Sequence, residues 1–285
     1  MIALAGILVV AGAVFGGYVM EGGHILVLYQ PAEFVIIGGA AVGSVLISTP
    51  MGVLKALFRD LSSVLSAGYS KQKYQNLLLL LYELFSIAKR DGVLGLEAHV
   101  EDPKKSSLFK KYPEFQSDHH AVSFLADTMR VLITGSVNTH DLDNLMDADL
   151  ETHHEEKAKP VSSLSSVGDA LPGLGIVAAV LGIVITMGAI DGPPEVIGHK
   201  VGAALVGTFL GILLSYGFVQ PLATNIQHRN ADSARYFACM KEGILAFHKG
   251  AAPAIAVEFA RRNIFSDVRP SFTDVEAACR KQKSG

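Results

Sequence analysis

Residues 167–190 read VGDALPGLGIVAAVLGIVITMGAI. Asp169 is the only charge in this run, and the only proline, Pro172, stands close beside it at the N-terminal end. A helix needs about 20 predominantly apolar residues to cross ~30 Å of hydrocarbon, and this run is long enough. A carboxylate and a helix-disrupting residue are therefore placed together where a membrane span begins.

Three further uncharged runs, 1–20, 34–54 and 201–227, reach the same length. The chain as a whole agrees: of 285 residues, 50% are hydrophobic and only 18% charged, with mean hydropathy +0.36. A soluble domain is usually more charged, so the composition points to a membrane protein with four spans. The basic residues orient those spans. Apart from Lys200, all 24 Lys and Arg lie within 55–159 or 229–283. Cytoplasmic loops carry the excess of Lys and Arg, so the connections at 21–33 and 191–200 face away from the cytoplasm. Both termini and the long middle segment then face inward. The first run has no basic residue ahead of it, and Glu21-Gly22-Gly23 is a poor cleavage site, so it reads as a retained helix. Cys239 and Cys279 fall in the inward-facing tail, where reduced thiols are expected. No basic stripe with interleaved aromatics is present, and nucleic acid is excluded as a partner.

The resulting organisation is all-α. Residues 1–54 form a first hairpin, with spans at about 2–20 and 34–54, and residues 55–166 a helical insert. Residues 167–227 form a second hairpin, with spans at about 170–190 and 201–222, and 228–285 a helical tail. Within the insert, 74–92 reads as a long helix stopped by Gly92. Pro103 and Pro113 punctuate a lysine-rich turn region. A second helix, 120–133, places Phe124, Leu125, Met129 and Leu132 at helical spacing. Thr139 is expected to cap a third, with Leu142, Leu145, Met146 and Leu150 on one stripe. Asp141, Asp143, Asp147, Asp149 and Glu151 line its other face. The spans carry small residues four apart: Gly12 and Gly16, Gly39 and Gly43, Ala178 and Gly182, Gly207 and Gly211. That spacing lets helix backbones approach closely in lipid.

The second hairpin sends its spans in opposite directions, which brings Pro172 and Pro221 to the same depth near the cytoplasmic face. They are either two ordinary helix ends or a pair of hinges flanking a polar entrance, with Asp169 at its mouth. Proline removes a backbone hydrogen bond that neighbours must replace. No Asp, Glu, Lys, Arg or His is read deep within a span; Ser44, Ser48, Thr186, Thr208 and Ser215 are the sizeable polar candidates. A device that moves protons needs a group that takes and releases them. Either this chain does not conduct, or another chain supplies the acid. His119-His120 and the ETHHEE run at 151–156 do not make a metal site, since adjacent histidines on a helix point apart and no cysteine is near. Gly22-Gly23 lacks the strand, helix and lysine of a phosphate loop.

FGGYVMEGG at 15–23 with YQPAE at 29–33, VGDALPGLGIVAA at 167–179, VGTFLG at 206–211, GAAPAIAVE at 250–258 and RPSF at 269–272 follow one another on this topology. In that order they resemble the MotA family, the proton-channel subunits of the bacterial flagellar stator, over nearly the whole chain. The resemblance implies an inner-membrane ring, described as five copies around two copies of a single-span MotB. Each MotB supplies a helix with an essential aspartate and a periplasmic domain that grips peptidoglycan. It also implies that Pro172 and Pro221 are the family's functional pair. Sodium-using relatives carry threonine where this chain has Ala179, so the coupling ion implied is the proton; Thr208 occurs in both types. No enzymatic activity and no cofactor are implied. The resemblance further implies that torque passes to the rotor switch protein FliG through charged residues of the insert. In AKRDGVLGLE, 88–97, these match Lys89 or Arg90 together with Glu97. A MotA-related ExbB or TolQ energiser of outer-membrane processes would usually have three spans. A solute transporter subunit would show a polar site at mid-membrane, with inverted repeats.

Overall fold

The computed structural model describes residues 2–66, 68–135, 137–188 and 190–283, and every regular element among them is helical. In chain order these are α1 (Ile2–Met20), α2 (Ile25–Leu28), α3 (Pro31–Ser48), α4 (Met51–Ser63), α5 (Lys71–Asp91), α6 (Glu97–Val100), α7 (Pro113–Gln116) and α8 (His119–Thr134). There follow α9 (Thr139–Met187), α10 (Pro194–Ile212), a π-helical run (Leu213–Val219), α11 (Gln220–His248), α12 (Pro253–Arg262) and α13 (Phe272–Lys283). The chain divides into two compact units, Met1–Ala67 with Glu156–His228, and Gly68–Glu155 with Arg229–Gly285.

The first unit holds the membrane spans. Four helical stretches are long and apolar enough to cross a membrane: Ile2–Met20, Ile25–Ser48, Thr139–Met187 and Pro194–His248. Pro31 opens α3 at its first helical position, where the missing N–H costs nothing. The helix ends at Ser48 because Pro50 drives Thr49 into extended backbone (φ −121°, ψ 120°). The uncharged run 34–54 therefore splits. Its last residues open α4, which carries Lys55 and Arg59 and buries Leu57 with Val64 against Leu164, Ala223 and Ile226. At its other end the helix starts before Phe34, so Glu33 lies on it and is buried. The charge pattern places Glu33 in the connection 21–33; the structure puts it in the first turn of α3 instead.

Helices α9 and α10 meet backbone to backbone. A Cβ placed on Gly211 would lie 2.5 Å from the Leu171 carbonyl, and one on Gly175 2.7 Å from the Gly207 carbonyl. Glycine is required at both for this approach. Around the seam, Ile37 and Ala41 of α3 pack with Leu171 and Ala178 of α9 and Val206 and Leu210 of α10. The opposite faces remain apolar and open, as at Ile47, which is 90% exposed, and α1 buries no residue. Such faces suit lipid or neighbouring subunits.

The second unit is a helical domain with its own apolar core. Ser70 caps α5 by accepting from the Lys73 N–H, and Gly92 ends it at φ 76°, as its position required. Leu77, Leu81, Leu84 and Phe85 of α5 are fully buried, and Phe85 stacks on Phe247 at 4.6 Å. Asp118 caps α8, whose Phe124, Leu125, Met129 and Leu132 all face the core. The α9 cap is Asn138 rather than Thr139: its side-chain oxygen accepts from the Asp141 N–H at 2.9 Å. Leu142 and Met146 are buried, but Leu145 is turned outward at 45% exposure, so the expected stripe is narrower. Part of the acidic face is engaged, since Lys241 bridges Asp143 and Asp147 at 2.6 and 2.7 Å. Both cysteines are free and buried.

In the tail, Glu258 takes a two-pronged hydrogen bond from Arg261, at 2.7 and 2.8 Å, and another from Arg262. Arg261 also donates to the Pro270 carbonyl, which fixes the RPSF segment against α12. The Arg261 hydrogen bond, more than any other influence, holds the Glu258 carboxyl below its ordinary value of 4.5. A depressed folded value means stabilisation that is present above the unfolded value and lost as pH falls through the folded one. Acidification through the carboxylate range should therefore lower the melting temperature of this unit. Glu258→Gln should flatten that dependence when melting is followed against pH; an unchanged slope would contradict it.

Candidate functional site

Pro172 stands inside the continuous helix α9. Having no N–H, it leaves the carbonyl four residues back, Gly168, without its helical partner. The structure supplies one from another helix: the Ser215 hydroxyl, on the π-helical run, donates to the Gly168 carbonyl at 2.6 Å, and Ser215 is fully buried. One turn further in, the Gln220 amide donates to Asp169 Oδ1 at 2.7 Å and to the Ser165 carbonyl at 3.2 Å. A Cβ at position 168 would lie 2.7 Å from Gln220 Nε2, so any larger residue there would oblige the Gln220 side chain to shift. Gln220 immediately precedes Pro221, so the two cross-links draw both proline positions and Asp169 into one cluster. Asp169 is exposed at its edge.

The run Leu213–Val219 winds as a π-helix directly before Gln220 and Pro221. π-Helical turns are uncommon and concentrate where helices bend or work. Ser215 was among the polar candidates visible in sequence; Gln220 was not, although a polar residue directly before a proline was its signal. Ala179 and Thr208 lie elsewhere on the seam. A Cβ on Gly207 would stand 3.2 Å from the Ala179 nitrogen, and one on Gly175 3.3 Å from the Thr208 Cα. Both are half-buried. Thr186 is satisfied within its own helix, donating to the Gly182 carbonyl at 2.8 Å.

A second set of candidates lies in the other unit. Lys89 and Arg90 are exposed in the last turn of α5, and Glu97 is exposed at the start of α6, across Gly92 and the 3-10 turn Val93–Leu96. Arg90 is committed locally: its Nε and Nη2 bind the two oxygens of Asp91 at 2.9 and 2.8 Å. That hydrogen bonding holds the Asp91 carboxyl below its ordinary value. Among the described residues, Lys89 and Glu97 make no ion pair.

Comparison with known proteins identifies relatives along the whole chain. Residues 4–92 match the family described as motility protein A N-terminal, and residues 116–238 the MotA/TolQ/ExbB proton channel family. Motility protein A of Salmonella typhimurium is 43% identical over 97% of this chain and 94% of its own length. Chemotaxis protein LafT of Vibrio parahaemolyticus is 37% identical over 95% of each chain. A solved chain described as the structure of C. jejuni MotAB superposes with a TM-score of 0.77 at 21% identity, covering 94% of this chain and 98% of that one. At that identity the superposition establishes a shared fold.

Removing the Ser215 hydroxyl leaves the Gly168 carbonyl buried without a donor, a penalty of about 1–3 kcal/mol. Ser215→Ala should accordingly lower the melting temperature of the detergent-solubilised protein, and Ser215→Thr should restore much of it. Equal melting of all three proteins would show that the cross-link contributes nothing.

Proposed function

The chain belongs to the motility protein A family of the MotA/TolQ/ExbB proton channels and is a multi-pass flagellar stator subunit; from this premise we propose how it works. Five copies surround two copies of a single-span MotB-like partner in the bacterial inner membrane. Both termini and the unit built on α5 and α8 face the cytoplasm, and that unit pushes on the rotor switch protein FliG. The partner contributes the membrane aspartate at the shared axis, and the coupling ion is the proton. Ala179 supports the choice of ion, since its methyl group offers no oxygen to replace part of a sodium hydration shell.

The observation that carries this reading is the polar clamp on two proline-bearing helices. Pro172 and Pro221 each break the internal ladder of a span, and the break beside Pro172 is mended by Ser215, a residue of the other helix. Such a bond can be exchanged. A proton crossing 100 mV releases ~2.3 kcal/mol. A net hydrogen bond is worth about 0.5–1.5 kcal/mol. One proton therefore carries enough work to remake the Ser215 or Gln220 contact, and hinges at the prolines turn that exchange into a step of the ring. Asp169, held by Gln220 at the exposed edge, stands where protons leave. The energiser alternative is not favoured, because the relatives that span nearly the whole chain are motility proteins.

For torque transfer, the geometry favours Lys89 over Arg90. Arg90 is paired with Asp91, whereas Lys89 is exposed and, like Glu97, makes no ion pair among the described residues. Contacts between exposed charges are screened within about 8 Å at physiological salt, which suits repeated binding and release.

Pro172→Leu or Pro221→Leu should abolish rotation while leaving membrane insertion and co-purification with the partner intact; loss of either would argue against a hinge. In swimming assays Lys89→Glu should impair motility more than Arg90→Glu, with partial rescue by a charge reversal on the rotor. The opposite ranking would assign the contact to Arg90.

A further inference from the structure

Helix α3 carries Glu33 in its first turn, yet the side chain does not turn out toward the head groups. The residue is 7% exposed, and its carboxylate lies between α9 and α10. Oε2 stands 2.5 Å from where a Cβ on Gly207 would be, and Oε1 3.8 Å from that of Gly182. Ala178 and Ala204 close the site: the same Cβ positions would lie 3.1 Å from the Ala178 methyl and 2.7 Å from the Ala204 methyl. Two glycines, one on each helix of the seam, thus leave the space that this carboxylate fills.

Oε2 is buried and has no hydrogen-bond partner. Nor does a charge face it from the packed elements. Residues 170–187 of α9 and 201–212 of α10 carry no titratable side chain. The nearest in sequence are Tyr29 and His24 ahead of α3, and Glu195, His199 and Lys200 in the first turns of α10, about two to three helical turns before Gly207. At 1.5 Å per residue, Gly182 lies about 7 Å inside the end of α9 and ~15 Å from Pro172. Glu33 is therefore in the half of the membrane away from the prolines. An ionised carboxylate left unpaired outside water is costly, and acids in such positions mark ion pathways. A proton neutralises it without needing further room.

We propose that Glu33 is a second proton-binding site of the channel, on the outer half of the path. Its carboxylate takes a proton from a hydronium on the side away from the cytoplasm, forming an O–H bond and releasing water. That bond breaks when the proton passes inward, through water, to the carboxylate of the partner's membrane aspartate, and the Glu33 carboxylate regains its charge. The inference rests on the proton-coupled stator reading and adds to it a titratable group within this chain.

The test uses the complete stator complex, in cells and purified. Glu33→Gln keeps the size and hydrogen-bonding shape of the neutral acid but cannot bind or release a proton. The complex should still assemble, swimming speed should drop with its dependence on external pH altered from that of the native complex, and the pH-difference infrared spectrum should lose one protonated-carboxyl band. A Glu33→Gln complex with the wild-type speed profile and an unchanged spectrum overturns the proposal, and leaves proton coupling intact if wild-type speed still follows the proton gradient. Wild-type speed indifferent to that gradient would instead sink the underlying reading. Should Glu33→Gln fail to accumulate, the native chain is measured with the partner's membrane aspartate changed to asparagine. One remaining protonated-carboxyl band that responds to pH supports Glu33, and its absence overturns it.

Discussion

The close approach of α9 and α10 at Gly175, Gly207 and Gly211 is the contact on which the membrane unit depends. In lipid there is no hydrophobic drive to bring helices together, so association relies on packing and interhelical hydrogen bonds. Side chains at Gly175 and Gly211 would strike carbonyl and Cα atoms of the facing helix, and one at Gly207 would strike the Glu33 carboxylate and the Ala178 methyl. With glycine there, the backbones close, and residues further along each helix come within hydrogen-bonding range. Ser215 reaches Gly168, Gln220 reaches Asp169, and the Glu33 carboxylate finds its space beside Gly207.

The same closeness makes proline tolerable inside a span. A carbonyl orphaned in hydrocarbon costs several kcal/mol, and a helix in isolation would kink or end at Pro172. Here the penalty is offset by a hydroxyl from the neighbouring helix, with a π-helical run supplying the local geometry. A bond between helices, unlike a bond within one, can be surrendered when the two move. The site therefore combines a helix that has lost one internal hydrogen bond with a replacement donor on another helix, as the proposed hinge requires.

The second unit follows different rules. Its core is apolar and its caps are conventional, so its stability comes from burial and from ion pairs such as Glu258 with Arg261. Its exposed charges are sorted by whether they have a local partner. Arg90 is tied to Asp91 and Lys241 to Asp143 and Asp147, while Lys89 and Glu97 face solvent uncommitted. Two adjacent cations that look equivalent in sequence are thereby made unequal.

The sequence by itself determined the helical class, the four membrane-crossing stretches, the end of α5 at Gly92, the start of α8 to within a residue of His120, and the residues carrying the family resemblance. All of these rest on local composition, periodicity and caps, which a single run of chain contains. It did not reveal that 34–54 divides at Pro50, that Asn138 takes the cap from Thr139, or that Leu145 turns outward; these are competitions between neighbours that packing settles. Only the tertiary structure decided that Ser215 mends the break at Pro172, that Gln220 holds Asp169, and that Glu33 is a buried acid rather than a loop residue. Ser215 and Gly168 are 47 residues apart. No periodicity links them, because their meeting depends on how closely two separate helices can approach, and that is fixed by glycines elsewhere on the seam.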